Sequence, residues 1–347
     1  MRRFKKLLAV GACLCMSLSL LAGCGSGSGN ASGSGSSDSG TKQESTKSSD
    51  LSFAFCTNTL NNTFQSSIDA KLKELCDANG ISYTCLDPDY DLNTQLSQLS
   101  DVANSGYDAV FIIPVDSAGI TSGLAEIKDA GIPIFNVDTA VIEDDIENFV
   151  TQFVGTNAYM AGQLVGEQMA KDYPDGADIA ILDFPSNESC VDRVNGFLDV
   201  VEKLDGVEVV ADQDAWVQDD AVSVVSDILT ANPDVNLIYA ANEGGTVGAT
   251  MAVKNVGKAG SVYTFGIDAN EQLANMLLSD DNILQATTGQ DSYTMGYNSM
   301  KDLISSIKGE ETSIEEGTTE YVDGMLLERS DEDGINDYLE RLSELSK

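Results

Sequence analysis

The stretch "AVFIIPVDSAGITSGLAEIKDAGIPIFNVD", residues 109–138, contains one complete structural unit. Ala109–Ile113 is an uninterrupted apolar run, the pattern of a strand covered on both faces. Ile120–Ala130 then carries apolar residues at helical spacing, and Ile132–Val137 is a second buried run. Gly131, just past the helix, suits a left-handed C-terminal cap. Two buried strands joined by a helix must run parallel, because the crossover returns the chain to the same edge.

The same alternation extends in both directions. Upstream lie Leu51–Cys56 followed by Phe64–Asn79, and Ile81–Leu86 followed by Leu92–Ser105, with Gly80 and Gly106 as further caps. From Val141 to Asn148 the pattern loosens and turns acidic; it then restarts, with strand-like runs at Ile179–Asp183, Val207–Ala211, Leu237–Ala241, Val262–Ile267 and Ile283–Thr288. The expectation is an α/β chain of two doubly wound parallel-sheet lobes. About 297 residues, 51–347, are more than one core usually holds. The reading assigns 51–154 plus about 291–318 to an N-terminal lobe, 155–290 plus about 319–330 to a C-terminal lobe, and 331–347 to a terminal helix. Hinge crossings are expected near Val141–Phe153, at Gln290 and around Glu320.

Residues 1–50 read differently. Arg2, Arg3, Lys5 and Lys6 precede an apolar stretch from Leu7 to about Ala22, the form of a secretory signal over 1–23. Leu21-Ala22-Gly23-Cys24 has the form of a bacterial lipobox, which makes Cys24 the expected site of lipidation and the membrane anchor. The Gly- and Ser-rich residues up to Asp50 cannot bury enough apolar surface to order themselves and form a flexible tether, so 24–50 is anchor and linker. The expected location is extracytoplasmic, lipid-anchored to the cell membrane.

The formal net charge is −37; removing the four basic residues of the signal leaves 15 Lys+Arg against 56 Asp+Glu, a net of −41. A field of that sign repels nucleic acid and anionic lipid, so no nucleic-acid partner is expected and the membrane is reached through the anchor alone. The chain has no histidine, which removes Ser-His and Cys-His nucleophile pairs and any His-containing metal site. Cys56, Cys76, Cys85 and Cys190 lack CxxC spacing; a bridge between Cys76 and Cys85 is left open. Asp89-Tyr90-Asp91 and Asp331-Glu332-Asp333 resemble fragments of a calcium loop without its full ligand spacing, and helix capping is the simpler use of such acids. No metal or cofactor is expected.

In a doubly wound sheet, ligands bind beyond the carboxyl ends of the strands. The residues there are Asn58, Asn62 and Phe64 after the first strand, Asp138 after the fourth, Phe184 and then Arg193 at the start of the second lobe, Trp216, Asn242 with Glu243, Asp268 and Gln290. Any one of these Asp or Asn residues could simply cap the next helix. Together, amides, carboxylates, a guanidinium and aromatic rings are the mixture that binds a polyol: hydroxyls donate to Asp and accept from Asn and Arg, while a C–H face packs on a ring. "GGTVGA", residues 244–249, lacks the dinucleotide spacing and reads as a helix start that permits close packing.

From Leu51 to Lys308 the chain resembles the periplasmic sugar-binding proteins of ABC importers, of the ribose-binding type. The resemblance rests on "NTLNNTF", "YDAVFIIPVDSAGI", "AGIPIFNVDTA", "VGTNAYMAG", "DRVNGF", "ILTANPDVNLIYAAN", "FGIDAN" and "TTGQDSYTMG", in that order. It implies ligand contacts at Asn58, Asn62, Phe64, Asp138, Phe184, Arg193, Trp216, Asn242, Asp268 and Gln290, the type I periplasmic binding protein fold, and no enzymatic activity. It further implies a monomer that delivers a neutral sugar or polyol to an ABC importer permease. The chain departs from the ribose pattern at Ile113, Thr63, Gln65 and Thr139, and Trp216 replaces a Phe, as in glucose/galactose-type relatives. Two other readings share the site: a sensor presenting its closed form to a chemoreceptor or sensor kinase, and a glycosidase using Asp138 and Asp268 as paired carboxylates.

Overall fold

The structure, a computed structural model, describes residues 51–310 and 317–345. The signal, Cys24 and the tether lie outside the described residues.

Strand–helix alternation begins with β1 (Ser52–Cys56), α1 (Thr63–Asn79), β2 (Ser82–Leu86), α2 (Leu92–Ser105), β3 (Ala109–Ile112), α3 (Thr121–Asp129), β4 (Ile134–Val137), α4 (Glu143–Phe149) and β5 (Gln152–Thr156). It continues through α5 (Ala158–Asp172), β6 (Asp178–Asp183), α6 (Glu188–Val201), β7 (Glu208–Asp214), α7 (Gln218–Ala231), β8 (Leu237–Ala240), α8 (Glu243–Asn255), β9 (Tyr263–Ile267), α9 (Glu271–Leu277) and β10 (Leu284–Gly289). The chain finishes with α10 (Ser292–Ile307), β11 (Thr318–Val322), β12 (Met325–Glu328) and α11 (Glu332–Leu345).

These strands form two six-stranded sheets, ordered β11-β5-β4-β3-β1-β2 and β12-β10-β9-β8-β6-β7. All pairs in the first are parallel; in the second only β10–β12 is antiparallel. Each sheet reverses its strand order beside its first strand, between β1 and β3 and again between β6 and β8. That reversal opens the crevice in which such sheets bind ligands.

Burial explains why β1 reads as a continuous apolar run. Phe53 and Phe55 face α1 and α10 through Ile68, Leu72, Met300 and Leu303, while Ala54 and Cys56 face α2 and α3 through Leu99, Val102, Leu124 and Ile127. The rings of Phe111 and Phe135, on β3 and β4, stack with centroids 5.1 Å apart. The second lobe repeats the plan, with Phe197 of α6 stacked on Tyr239 of β8 at 4.0 Å. The four described thiols are free, so Cys76 and Cys85 are not bridged.

Three crossings join the lobes: Thr156 to Ala158, Gly289 to Ser292, and Val322 to Met325. The first corrects the expected hinge near Val141–Phe153, because Gln152–Thr156 is itself the fifth strand of the first sheet. The last corrects the boundary at 318, since Thr318–Val322 pairs with β5 and only Met325–Glu328 joins the second sheet.

Helices α5 and α6 approach at backbone distance. A Cβ on Gly162 would lie 1.9 Å from the carbonyl oxygen of Arg193, and one on Gly196 would lie 2.0 Å from that of Tyr159. This contact seats Arg193. Gly162→Ala is therefore expected to lower stability by about 1–3 kcal/mol, through backbone displacement that a rotamer change cannot relieve. A urea midpoint equal to that of the parent would refute it. At the start of α8, a Cβ on Gly244 would lie 2.3 Å from the Trp216 carbonyl oxygen. "GGTVGA" is thus a packing site, as its spacing indicated.

Candidate functional site

Asp138 directly follows β4, and Asp268 directly follows β9, the fourth strand of each lobe's winding. Both adopt left-handed backbone, with φ of 65° and 75°. Each backbone N–H donates to the neighbouring strand: Asp138 to Val154 O at 2.9 Å, Asp268 to Thr288 O at 2.8 Å. This conformation is costly for a residue with a Cβ, and it recurs at the same place in both lobes. It turns two carboxylates out of the sheets and into the crevice.

Arg193 is buried, and one terminal nitrogen donates to Ala241 O at 3.0 Å. Burial opposes its charge, but the carboxylates of Asp268 and Asp138 outweigh that and hold the guanidinium above its ordinary value. Burial pushes Asp138 up to about 6, against the pull of Arg193. Glu243 is pushed up to about 7, by burial first and then by Asp268. Asp268 accepts from the Glu243 N–H at 2.9 Å and from the Gln290 amide. Two carboxyl groups thus act on one guanidinium, and a third, Glu243, neighbours Asp268. The set demands hydrogen-bond donors from any guest and offers little to an anion.

Aromatic rings close one side. Phe184 and Trp216 stack at 4.2 Å with an interplanar angle of 11°, and Tyr90 of the first lobe meets the Trp216 ring edge-on at 5.1 Å. Elsewhere the lobes touch directly. Ser117 N donates to Ser186 O at 3.1 Å, Glu188 N to Ser117 Oγ at 3.1 Å, Asn187 Nδ2 to Thr139 Oγ1 at 3.4 Å, and Ala140 N to Ser189 Oγ at 3.4 Å. The lobes are closed on each other, with a cavity of about 430 Å³ bounded by Phe64 and Ser67 on one side and Glu243, Asp268, Asn270 and Gln290 on the other.

The sequence profile described as the periplasmic binding protein domain matches residues 53–311. The chain belongs to the periplasmic binding protein family. Among its relatives is the ribose import binding protein RbsB of Bacillus subtilis (strain 168), 26% identical over 259 residues, covering 74% of this chain and 80% of that one. Another is the ABC transporter periplasmic-binding protein YphF of Escherichia coli (strain K12), 27% identical over 212 residues; the match spans 59% of this chain and 64% of YphF, somewhat less than two thirds of its length. The fold matches an ABC transporter solute binding protein from Bacillus halodurans C-125 with bound myo-inositol, at a TM-score of 0.74 and 23% identity, covering 85% of this chain and 98% of the other. It also matches GanP, a glucose-galactose binding protein from Geobacillus stearothermophilus, at 0.73 and 22%, covering 81% and 98%.

In this periplasmic binding protein, Asp138, Arg193, Asp268 and Gln290 form one group, with Phe64 at the cavity wall and Phe184 and Trp216 in the aromatic stack. Asn62 caps α1, its Oδ1 accepting from Phe64 N at 2.7 Å. Asn242 caps α8 and donates to Trp216 O at 3.0 Å, so both ends of its amide position backbone. Asn58 is buried, and its Oδ1 has no partner among the described residues. Of the supposed calcium fragments, Asp91 caps α2 and Asp331 caps α11. Tyr90 was missed as a site residue. It lies just beyond β2, at the same sheet edge as the other site residues. Glu243 was noticed beside Asn242, but nothing in the sequence showed its carboxyl turned toward Asp268.

Proposed function

We propose that the protein is an extracytoplasmic solute-binding protein, anchored through a lipidated Cys24, that captures a neutral sugar or polyol and hands it to the permease of an ABC importer. It acts as a monomer and binds without turnover. The observation that carries this reading is the convergence of Asp138 from one lobe with Arg193, Asp268 and Glu243 from the other, beside a three-ring wall. The guest is held by Asn58, Phe64, Asp138, Phe184, Arg193, Trp216, Asp268 and Gln290, with Asn62 and Asn242 fixing the neighbouring helix starts. Because it contacts both lobes, it shifts the population toward the closed form, pivoting on the three crossings. An affinity near micromolar, about −8 kcal/mol, suits capture followed by release. The relatives named for ribose import and for allose binding, and the structural neighbour with bound myo-inositol, support this ligand class.

Thermal-shift screening against pentoses, hexoses and inositols is expected to yield at least one ligand that raises the melting temperature, since it binds only the folded chain. No shift from any of them, with binding also undetected by calorimetry, overturns the reading. Trp216, the one tryptophan of the chain, sits between Phe184 and Tyr90, and its fluorescence is expected to change on titration with that ligand. A flat signal at a saturating concentration would remove the tryptophan from the contact surface.

A further inference from the structure

Two buried amides carry acceptor atoms that none of the described residues engages. Asn58 and Gln65 are 5% and 7% exposed, and neither Asn58 Oδ1 nor Gln65 Oε1 has a hydrogen-bond partner among the described residues. Buried polar atoms are ordinarily paired, so two orphans at one end of the first lobe's sheet need an explanation. The orientation of Gln65 follows from chemistry. Its side chain hydrogen-bonds Asp138, and an ionised carboxylate only accepts, so the NH2 group faces Asp138 and the carbonyl oxygen faces away from it. Asn58 follows β1, Gln65 lies in the first turn of α1 and Asp138 follows β4. Three elements thus place one carboxylate and two unpaired acceptors at the carboxyl end of the first lobe's sheet, the end that faces the crevice.

We propose that Gln65 is a specificity-determining residue: its Oε1, with Asn58 Oδ1, accepts hydrogen bonds from hydroxyls of the bound polyol. The site therefore takes a ligand that is fully hydroxylated along the edge facing Asp138 and rejects the congener with a methylene there. This rests on the reading of the site as a polyol site. An acceptor with no other partner discriminates strongly, because a deoxy ligand both omits a bond and seals the acceptor away from water.

The test titrates the protein by calorimetry with D-ribose, D-glucose, D-galactose and myo-inositol, each beside its monodeoxy congeners. For a parent compound that binds, one congener is expected to bind about tenfold more weakly or worse. In Gln65→Met, which keeps length and removes the acceptor, that parent and congener are expected to bind within about threefold of each other. If Gln65→Met weakens both equally and the discrimination persists, the residue merely positions Asp138 and the proposal is overturned. Should Gln65→Met fail to fold, the unaltered protein still decides: congeners that all bind within about threefold of their parent overturn it. If neither these four parents nor any other pentose, hexose or inositol binds, the polyol reading falls and takes this inference with it, an outcome distinct from binding without discrimination.

Discussion

Arg193→Ala is expected to leave a folded protein that binds its sugar or polyol about 2–5 kcal/mol more weakly, the cost of stripping a buried charged partner from hydrogen-bonded groups. The guanidinium sits between Asp138 and Asp268 and donates to the Ala241 carbonyl, so its loss has three local consequences. The Ala241 carbonyl loses its guanidinium donor, and Asp138 and Asp268 lose a neighbouring cation. Asp138, already pushed up to about 6 by burial, loses the Arg193 pull that opposes burial and moves higher. Asp138 can answer by taking up a proton, which spares the fold but costs the ligand a charged acceptor. Arg193→Lys separates charge from shape, because it restores a cation without the planar fork, and is expected to recover only part of the loss. Titration calorimetry is the measurement, with circular dichroism to establish folding. Unchanged affinity in a folded Arg193→Ala protein would exclude the guanidinium from the site.

The parts of the fold legible in the sequence are those where both faces of a strand are buried. β3 and β8 are apolar along their length, and β1 and β4 nearly so, because helices cover each side, and such runs stand out against polar neighbours. The edge strands do not. β7 continues to Asp214 through "ADQD" because an edge exposes one row of backbone and tolerates charge, and the apolar run ends at Ala211 well before the strand does. β11 and β12 are short edge strands next to the last crossing, invisible to any period-2 count. For the site, the rule of looking beyond strand ends found Asp138, Asp268 and Gln290, whose placement needs only topology. It did not distinguish Asn62 and Asn242, which cap helices, from Asn58, which does not, since the same residue type suits both tasks. Nor did it reveal the left-handed turns that bring Asp138, Asp268 and Tyr90 inward, because φ at a non-glycine residue leaves no mark on composition.

The buried carboxyls make stability and binding respond oppositely to pH. A carboxyl raised from its ordinary 3.8 to about 6 in the fold, as Asp138 is, favours the folded state while protonated; that contribution is complete below about pH 4 and is lost as pH rises through 6. Glu243, raised from 4.5 to about 7, acts in the same direction over a slightly higher window. The ligand-free protein is therefore expected to lose stability as pH rises from about 4 to about 7, and Asp138 alone accounts for up to about 3 kcal/mol of it. Many surface acids also repel one another as pH rises, so the decisive comparison is Asp138→Asn, which removes this carboxyl alone. That variant is expected to match the parent near pH 4 and to exceed it by up to about 3 kcal/mol at pH 7.5, as read by urea unfolding. Ligand affinity runs the other way. Hydroxyl donors favour the ionised Asp138, so the parent is expected to bind more tightly as pH rises through 6 and to release protons on binding, detected by calorimetry in buffers of different ionisation enthalpy. A stability difference between parent and Asp138→Asn that stays constant with pH would mean that the carboxyl titrates at its ordinary value. The opposed slopes follow from one arrangement: a carboxylate buried for its guest is kept charged at a cost to the fold, and the guest's hydroxyls offset that cost when the lobes close.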